Sequence, residues 1–370
     1  MIKKRMFYFL LVSLLLTVVF PISAAPRGWQ KVDSFLIGSV NHITGPTALS
    51  GVLRQNGYEL AIDEINKAGG IDGLPMEIVY EDDQGTNPGA VAATRRMIAR
   101  HPVLAILLCR STMVNAIHPI IMTEEVPTLF GASAWSLSEL NNPWYFRFRL
   151  NDKDAAAIMA KFIVEDLKKT KIASIYDSDA FGSGGNNETM AYLKEQYGIN
   201  PVTTQRYTSG TKDYTAQLLA IKAAGANVVY SWGTNAEDCA IILRQFKQLG
   251  LDQQMEFVGS ASYATNTIVQ IAGDNVNGIY TINDFSAEDP RPELQKWHKA
   301  YTSKYGEIPD FWGLYTYDAV KFIADAAVRA NIVRKEGNNY YMMPIEEARV
   351  ALAEALRDTK EYIGAQGRYW

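Results

Sequence analysis

Of the 370 residues, 48% are hydrophobic and 21% charged, and 40 acidic side chains against 36 basic ones give a net charge of −4. That composition excludes a disordered or fibrous chain, and an acidic balance without basic runs beyond the first residues argues against nucleic acid and anionic membranes as partners. Two cysteines, Cys109 and Cys239, exclude a disulfide-built scaffold and read as free or buried thiols, while the length exceeds what one core usually supports.

The chain opens with "MIKKRMFYFLLVSLLLTVVFPISAA". A basic start, an apolar middle and the small residues Ser23, Ala24 and Ala25 read as a cleaved secretory signal over 1–25. A membrane anchor is the competing reading, and the lack of a following stop-transfer charge cluster counts against it. The expected location is periplasmic or otherwise extracytoplasmic, with no cysteine at the cleavage site for a lipid.

From residue 33 strands and helices alternate. "DSFLIGSVNHITG" predicts a strand and loop, and "GVLRQNGYELAIDEINKAGG" a helix with Leu53, Leu60, Ala61 and Ile65 on its apolar side and Gly69–Gly70 as its stop. "MEIVYEDDQG" is a strand, "NPGAVAATRRMIAR" a helix with proline at its start, "VLAILLC" a strand, "STMVNAIHPIIMTEE" a helix and "VPTLFG" a strand. The alternation then starts afresh with strands in "KIASIYDSD", "PVTTQRYTS", "ANVVYSWG" and "QMEFVGSAS", separated by helices such as "NNETMAYLKEQYG" and "DYTAQLLAIKAAG". Two successive blocks of this kind predict two α/β lobes with parallel sheets and right-handed crossovers.

Ligands of open α/β sheets bind beyond the carboxyl ends of the strands. The loops there, "NHITGPTALSG", "LCRST", "FGASAWS", "DSDAFGSGG", "SWGTNAED" and "GSASYATN", are rich in Gly, Ser, Thr and Asn with single aromatics, as a small-molecule cleft requires. Catalytic readings are weak. Ser133 in "GASAW" lacks the small residue a nucleophile elbow needs where Trp135 stands, and "FGSGGNN" is better read as a turn and helix cap than as a phosphate cradle. His42, His101, His118 and His298 show no metal-ligand spacing, and the carboxylates Asp82, Asp83, Asp177 and Asp179 near strand ends read as solvated or capping groups. No metal and no cofactor is expected. The anion signals are stronger. "RST" sets Arg110, Ser111 and Thr112 at a helix start, where free N–H groups and the macrodipole favour negative charge, and Ser133 adds a hydroxyl from the next loop. Arginine also offers a planar fork that matches a carboxylate. An acidic loop partner or solvent is the competing fate for Arg110.

The stretch from "IGSVNHITGPTALSG" through "AIDEINKAGGIDG", together with "VPTLFGASAWSLSE", "YFRFRLND", "YDSDAFGSG", "TKDYTAQLLAIKAAGANVVYSWG" and "TYDAV", resembles the type I periplasmic solute-binding proteins of the branched-chain amino-acid class. The resemblance implies two Rossmann-like lobes joined by three crossovers, a ligand closed between them, and delivery to an ABC permease by a monomer. It places lobe I at 26–149 and 283–350 and lobe II at 150–282 and 351–370, with a further strand pair expected after "EYIGAQGRYW". It also implies pocket positions at Ser50, Arg110 or Ser111, Gly131, Ala132, Ser133, Phe181, Trp232, Thr234 and Ala261. One departure matters. Amino-acid binders of the class carry an acid in the loop that here reads "GSASY", to pair with the α-ammonium. Without it, a buried ammonium is costly. The expectation is therefore a small carboxylate-bearing metabolite. Competing readings are a branched-chain or other amino-acid or amide binder, a ligand-sensing receptor module, and an α/β enzyme acting on a small acid, for which no activated nucleophile is evident.

Overall fold

The computed structural model describes residues 28–45 and 48–369, so the signal expected over 1–25 lies outside the described residues. None of the described helices is long and apolar enough to cross a membrane. Two five-stranded, all-parallel sheets form the two lobes. In the first, the strands run in the order Met76–Asp82, Phe35–Asn41, Ile106–Leu108, Thr128–Phe130, Tyr145–Arg147. In the second, the order from one edge is Thr203–Tyr207, Ile172–Asp177, Val228–Trp232, Glu256–Gly259, Tyr280–Thr281. Both therefore share one topology, with the second strand outside the first, and the order reverses between the first and third strands of each lobe. The fifth strands, Tyr145–Arg147 and Tyr280–Thr281, are too short to stand out in the sequence pattern.

The strands read as continuous apolar runs because both faces of each sheet are covered. Phe35, Ile37 and Leu107 join a core beneath the helices Ala48–Lys67 and Phe311–Arg329, while Val40, Ile106 and Leu108 pack with Met97 and Val114 on the other face. In the second lobe Ala173, Val229 and Phe257 face one layer, and Ile172, Val228 and Val258 the other. Local signals start the helices where expected. Thr86 accepts the Gly89 N–H at 3.0 Å ahead of Asn87–Arg100, and Asp179 accepts the Gly182 N–H at 2.8 Å ahead of Ala180–Tyr197. "FGSGGNN" is thus the first turns of that helix rather than a turn before it. Gly185 is required there, because a Cβ would lie 2.2 Å from the Trp232 ring.

Phe148 belongs to the first core and Ala156 to the second, Ile282 to the second and Phe285 to the first. Within the described residues the chain crosses between lobes twice, not three times. Residues 351–370, expected in lobe II, pack on lobe I. Leu352, Leu356 and Ala365 join its core, Tyr362 and Tyr369 stack on Phe322 and Phe148, and buried Asp318 accepts the N–H groups of Ala365 and Gln366, each at 2.8 Å. The reason is the amphipathic helix Ile345–Arg357, whose buried Arg349 donates to the Val103 carbonyl of lobe I at 2.9 and 3.1 Å. Cys109 and Cys239 are both free and buried.

Candidate functional site

The carboxyl ends of both sheets face one another, and the two points of strand-order reversal meet across the gap. Two cavities that share Arg110, Thr234, Ser262 and Trp312 make one elongated cleft. Its inner end, about 30 Å³, is lined by Arg110, Ser111, Gly131, Ala132 and Ser133 of lobe I and by Asp179, Phe181 and Thr234 of lobe II. Its outer end, about 60 Å³, adds Ser50, Arg54 and Asn235. Each end has room for a few non-hydrogen atoms at most.

Arg110 sits at the N-cap of the helix Ser111–Glu124, whose first turn receives no side-chain cap. Its guanidinium points across the cleft, 3.5 Å from an oxygen of Asp179, and makes no hydrogen bond among the described residues. Asp179 itself is engaged by the Gly182 N–H and by the Thr234 hydroxyl at 3.0 Å. The Ser111 hydroxyl accepts the Ala134 N–H at 3.3 Å, tying the third-strand loop to the fourth. Gly131 is needed because a Cβ would meet the Tyr315 ring at 2.1 Å. The expected residues Arg110, Ser111, Gly131, Ala132, Ser133, Ser50, Phe181 and Thr234 are thus brought together.

Two expected residues are not. Trp232 shares a strand face with Val228 and Tyr230, and its ring lies under the helix Ala180–Tyr197, donating to the Thr189 hydroxyl at 3.0 Å. It supports Phe181 edge-on at 5.4 Å and does not line the cleft. Ala261 packs against Cys109, Phe311 and Tyr315 of the opposite lobe, and its neighbour Ser262 faces the cleft. Sequence reasoning missed Arg54, Arg149, Asp179, Ser262 and Trp312. Arg149 and Trp312 come together because the chain returns to lobe I, and nothing local announces that.

The two crossings are joined by a buried ion pair, Arg149 to Asp284 at 2.7 Å, with the Arg149 guanidinium 4.4 Å over the Phe311 ring. Beside it Asp152 is almost fully buried, at 1% exposure. Burial raises its pKa to about 7; the Ser133 hydroxyl, Arg149 and Arg147 oppose the rise, and Asp284 adds to it. The folded pKa lies above the unfolded value, so between about pH 4 and 7 the folded state holds the extra proton. Stability from this group is full at the acid end and lost as pH rises through 7, by up to about 1.4 kcal/mol per pH unit. From about pH 4 to 7 the urea midpoint of the wild type should fall relative to that of Asp152→Asn, and parallel pH profiles would contradict this.

The sequence profile described as periplasmic binding protein matches residues 35–369. The chain belongs to the periplasmic binding protein family. This binding protein is 30% identical over 305 residues to the Leu/Ile/Val-binding protein homolog 1 of Brucella abortus (strain 2308), covering 82% of this chain and 79% of that one. It is 29% identical to the leucine-, isoleucine-, valine-, threonine- and alanine-binding protein of Pseudomonas aeruginosa, over 81% and 80% of the two chains. Among solved structures, the isoleucine complex of a branched-chain amino-acid transporter substrate-binding protein from Streptococcus pneumoniae superimposes with a TM-score of 0.78 at 23% identity, over 90% and 91%. A solute-binding protein from Rhodopseudomonas palustris BisB5 in complex with 3,4-dihydroxybenzoic acid gives 0.76 at 18%, over 91% and 88%. These two likenesses establish the shared two-lobed fold of the binding protein.

Proposed function

We propose that this is an extracytoplasmic solute-binding protein, not an enzyme, that closes on a small carboxylate and presents it to an ABC permease. One observation carries the carboxylate reading: the Arg110 guanidinium projects into the cleft at an uncapped helix N-terminus, hydrogen-bonded to nothing among the described residues and paired only at 3.5 Å with Asp179, beside Ser111 and Ser133. Such a site offers a planar fork, backbone N–H groups and hydroxyls to one anionic head. Among the cleft residues the loop 259–263 contributes no acid. Closure follows from differential affinity, since only the closed state lets lobe II residues Phe181 and Thr234 reach a ligand held by lobe I.

A second reading rests on Asp179. It lies 3.5 Å from Arg110, so a zwitterion could set its carboxylate on one and its ammonium on the other, as an amino-acid binder would. Both hydrogen bonds to Asp179, from Gly182 and Thr234, fall on Oδ1, while Oδ2 faces Arg110; the plain carboxylate is preferred because an ammonium at Oδ2 would stand beside that guanidinium. Thermal unfolding with a panel of small carboxylates and with leucine tests this, because a binder is stabilised by its ligand without consuming it. Carboxylates without an amine should raise the midpoint most. Stabilisation by leucine alone would reverse the preference.

A further inference from the structure

We propose that Arg54 is a second anchor and that the cargo is a small dicarboxylate, one head at each end of the cleft. The inference rests on the carboxylate reading and goes beyond it. Arg54 lies on the helix Ala48–Lys67, whereas Arg110 follows the third strand; the two flank the point where the strand order reverses. Arg54 is 1% exposed. No carboxylate among the described residues lies within 4.0 Å of its guanidinium. Its nearest partners are neutral, namely Asn41 at 3.5 Å, the Ser50 hydroxyl at 3.2 Å, the Trp312 ring at 4.3 Å and the buried Tyr315, and Nε has no partner among the described residues.

A guanidinium stays charged at any physiological pH, and burying one without a counter-ion is unfavourable. Its position explains what could answer it, since Arg54 lines the outer end of the cleft and Arg110 lines both ends. The other cation facing the cleft, Arg149, is already matched by Asp284. Asp179 stands only opposite Arg110, Glu237 is exposed at the rim, and the buried Asp310, which caps Phe311–Arg329, acts on Arg54 only from beyond 4.0 Å. The first carboxylate fits among Arg110, Ser111 and Ser133, and the second between Arg54 and Ser50, with Thr234, Ser262 and Trp312 along the middle. His42, hydrogen-bonded to Asp83 at 2.5 Å, has its pKa lowered to about 4 by burial and then by Arg54, with Arg110 contributing, against the opposing pull of Asp83.

Titration calorimetry on the whole mature protein, with straight-chain dicarboxylates of three to six carbons and the monocarboxylates of equal length, tests the proposal. At least one dicarboxylate should bind at least tenfold tighter than its monocarboxylate counterpart. Arg54→Gln should lower dicarboxylate affinity at least tenfold more than monocarboxylate affinity, and Arg54→Lys, which keeps the charge without the fork, should fall between. Equal wild-type affinity for the two classes overturns this proposal alone, and needs no variant to fold. A dicarboxylate preference that survives Arg54→Gln also overturns it. Binding of neither class overturns it together with the carboxylate reading.

Discussion

Replacing Arg110 by alanine is expected to weaken carboxylate binding by roughly 10- to 100-fold, the worth of a hydrogen-bonded charge of about 1.5–3 kcal/mol, while leaving the unfolding midpoint of the free protein almost unchanged. The two halves of this expectation have different causes. In the free protein Arg110 contributes only a 3.5 Å ion pair with Asp179, both side chains 16% exposed, and no hydrogen bond. Partly solvated pairs of that kind contribute little to stability. In the complex the same guanidinium faces an anion at the uncapped start of Ser111–Glu124, where its fork and the helix N–H groups act on one head. Calorimetric affinities set beside thermal midpoints separate the effects. Unchanged affinity would remove Arg110 from the site, and a large drop in midpoint would make it a structural residue.

The second large effect concerns Gly57, which stands in the middle of the helix Ala48–Lys67. Helix propensity alone predicts that Gly57→Ala stabilises, by about 1 kcal/mol. The structure predicts the opposite sign. A Cβ at that position would lie 2.1 Å from the Thr316 hydroxyl and 2.3 Å from the Gly313 carbonyl oxygen of Phe311–Arg329. The carbonyl is backbone and cannot swing aside, so the two helices must part. Overpacking of this kind typically costs about 1–3 kcal/mol. Gly57→Ala should therefore lose stability in urea unfolding, and a gain would mean that the two helices are not in this contact. Any parting would also move Arg54, three residues earlier on the same helix, and loosen the outer end of the cleft.

Much of this architecture is legible in the chain because both faces of each sheet are buried. The central strands read as unbroken apolar runs, the crossover helices as amphipathic segments, and the order of the two blocks predicts two lobes. The inner end of the cleft is legible too, since "CRST" and "GAS" place Arg110 and Ser133 at strand ends, where topology puts ligands. Arg54 is not. In "GVLRQNGYELA" it has the look of a solvated charge on the polar side of a helix, and only the packing of Phe311–Arg329 across that side buries it. Gly57 is the one local hint, a poor helix former kept where a second helix comes close. Trp232 misleads for the converse reason. It ends a strand beside a polar loop, yet strand parity directs its ring to the core face with Val228 and Tyr230. Resemblance alone places residues 351–370 in lobe II, and the Ala365 and Gln366 N–H groups and the Tyr369 hydroxyl, all donating to Asp318 of lobe I, decide otherwise.

The claim beneath all of this is that the cleft recognises negative charge on its cargo through guanidinium groups of the first lobe. The direct test is calorimetric: the affinity of the wild-type protein for the tightest-binding carboxylate found in the panel, measured against that of its neutral methyl ester. The acid should bind at least tenfold tighter than the ester, since the ester removes the charge and half the bidentate acceptor while keeping the carbon skeleton. Equal affinity for the two would contradict it.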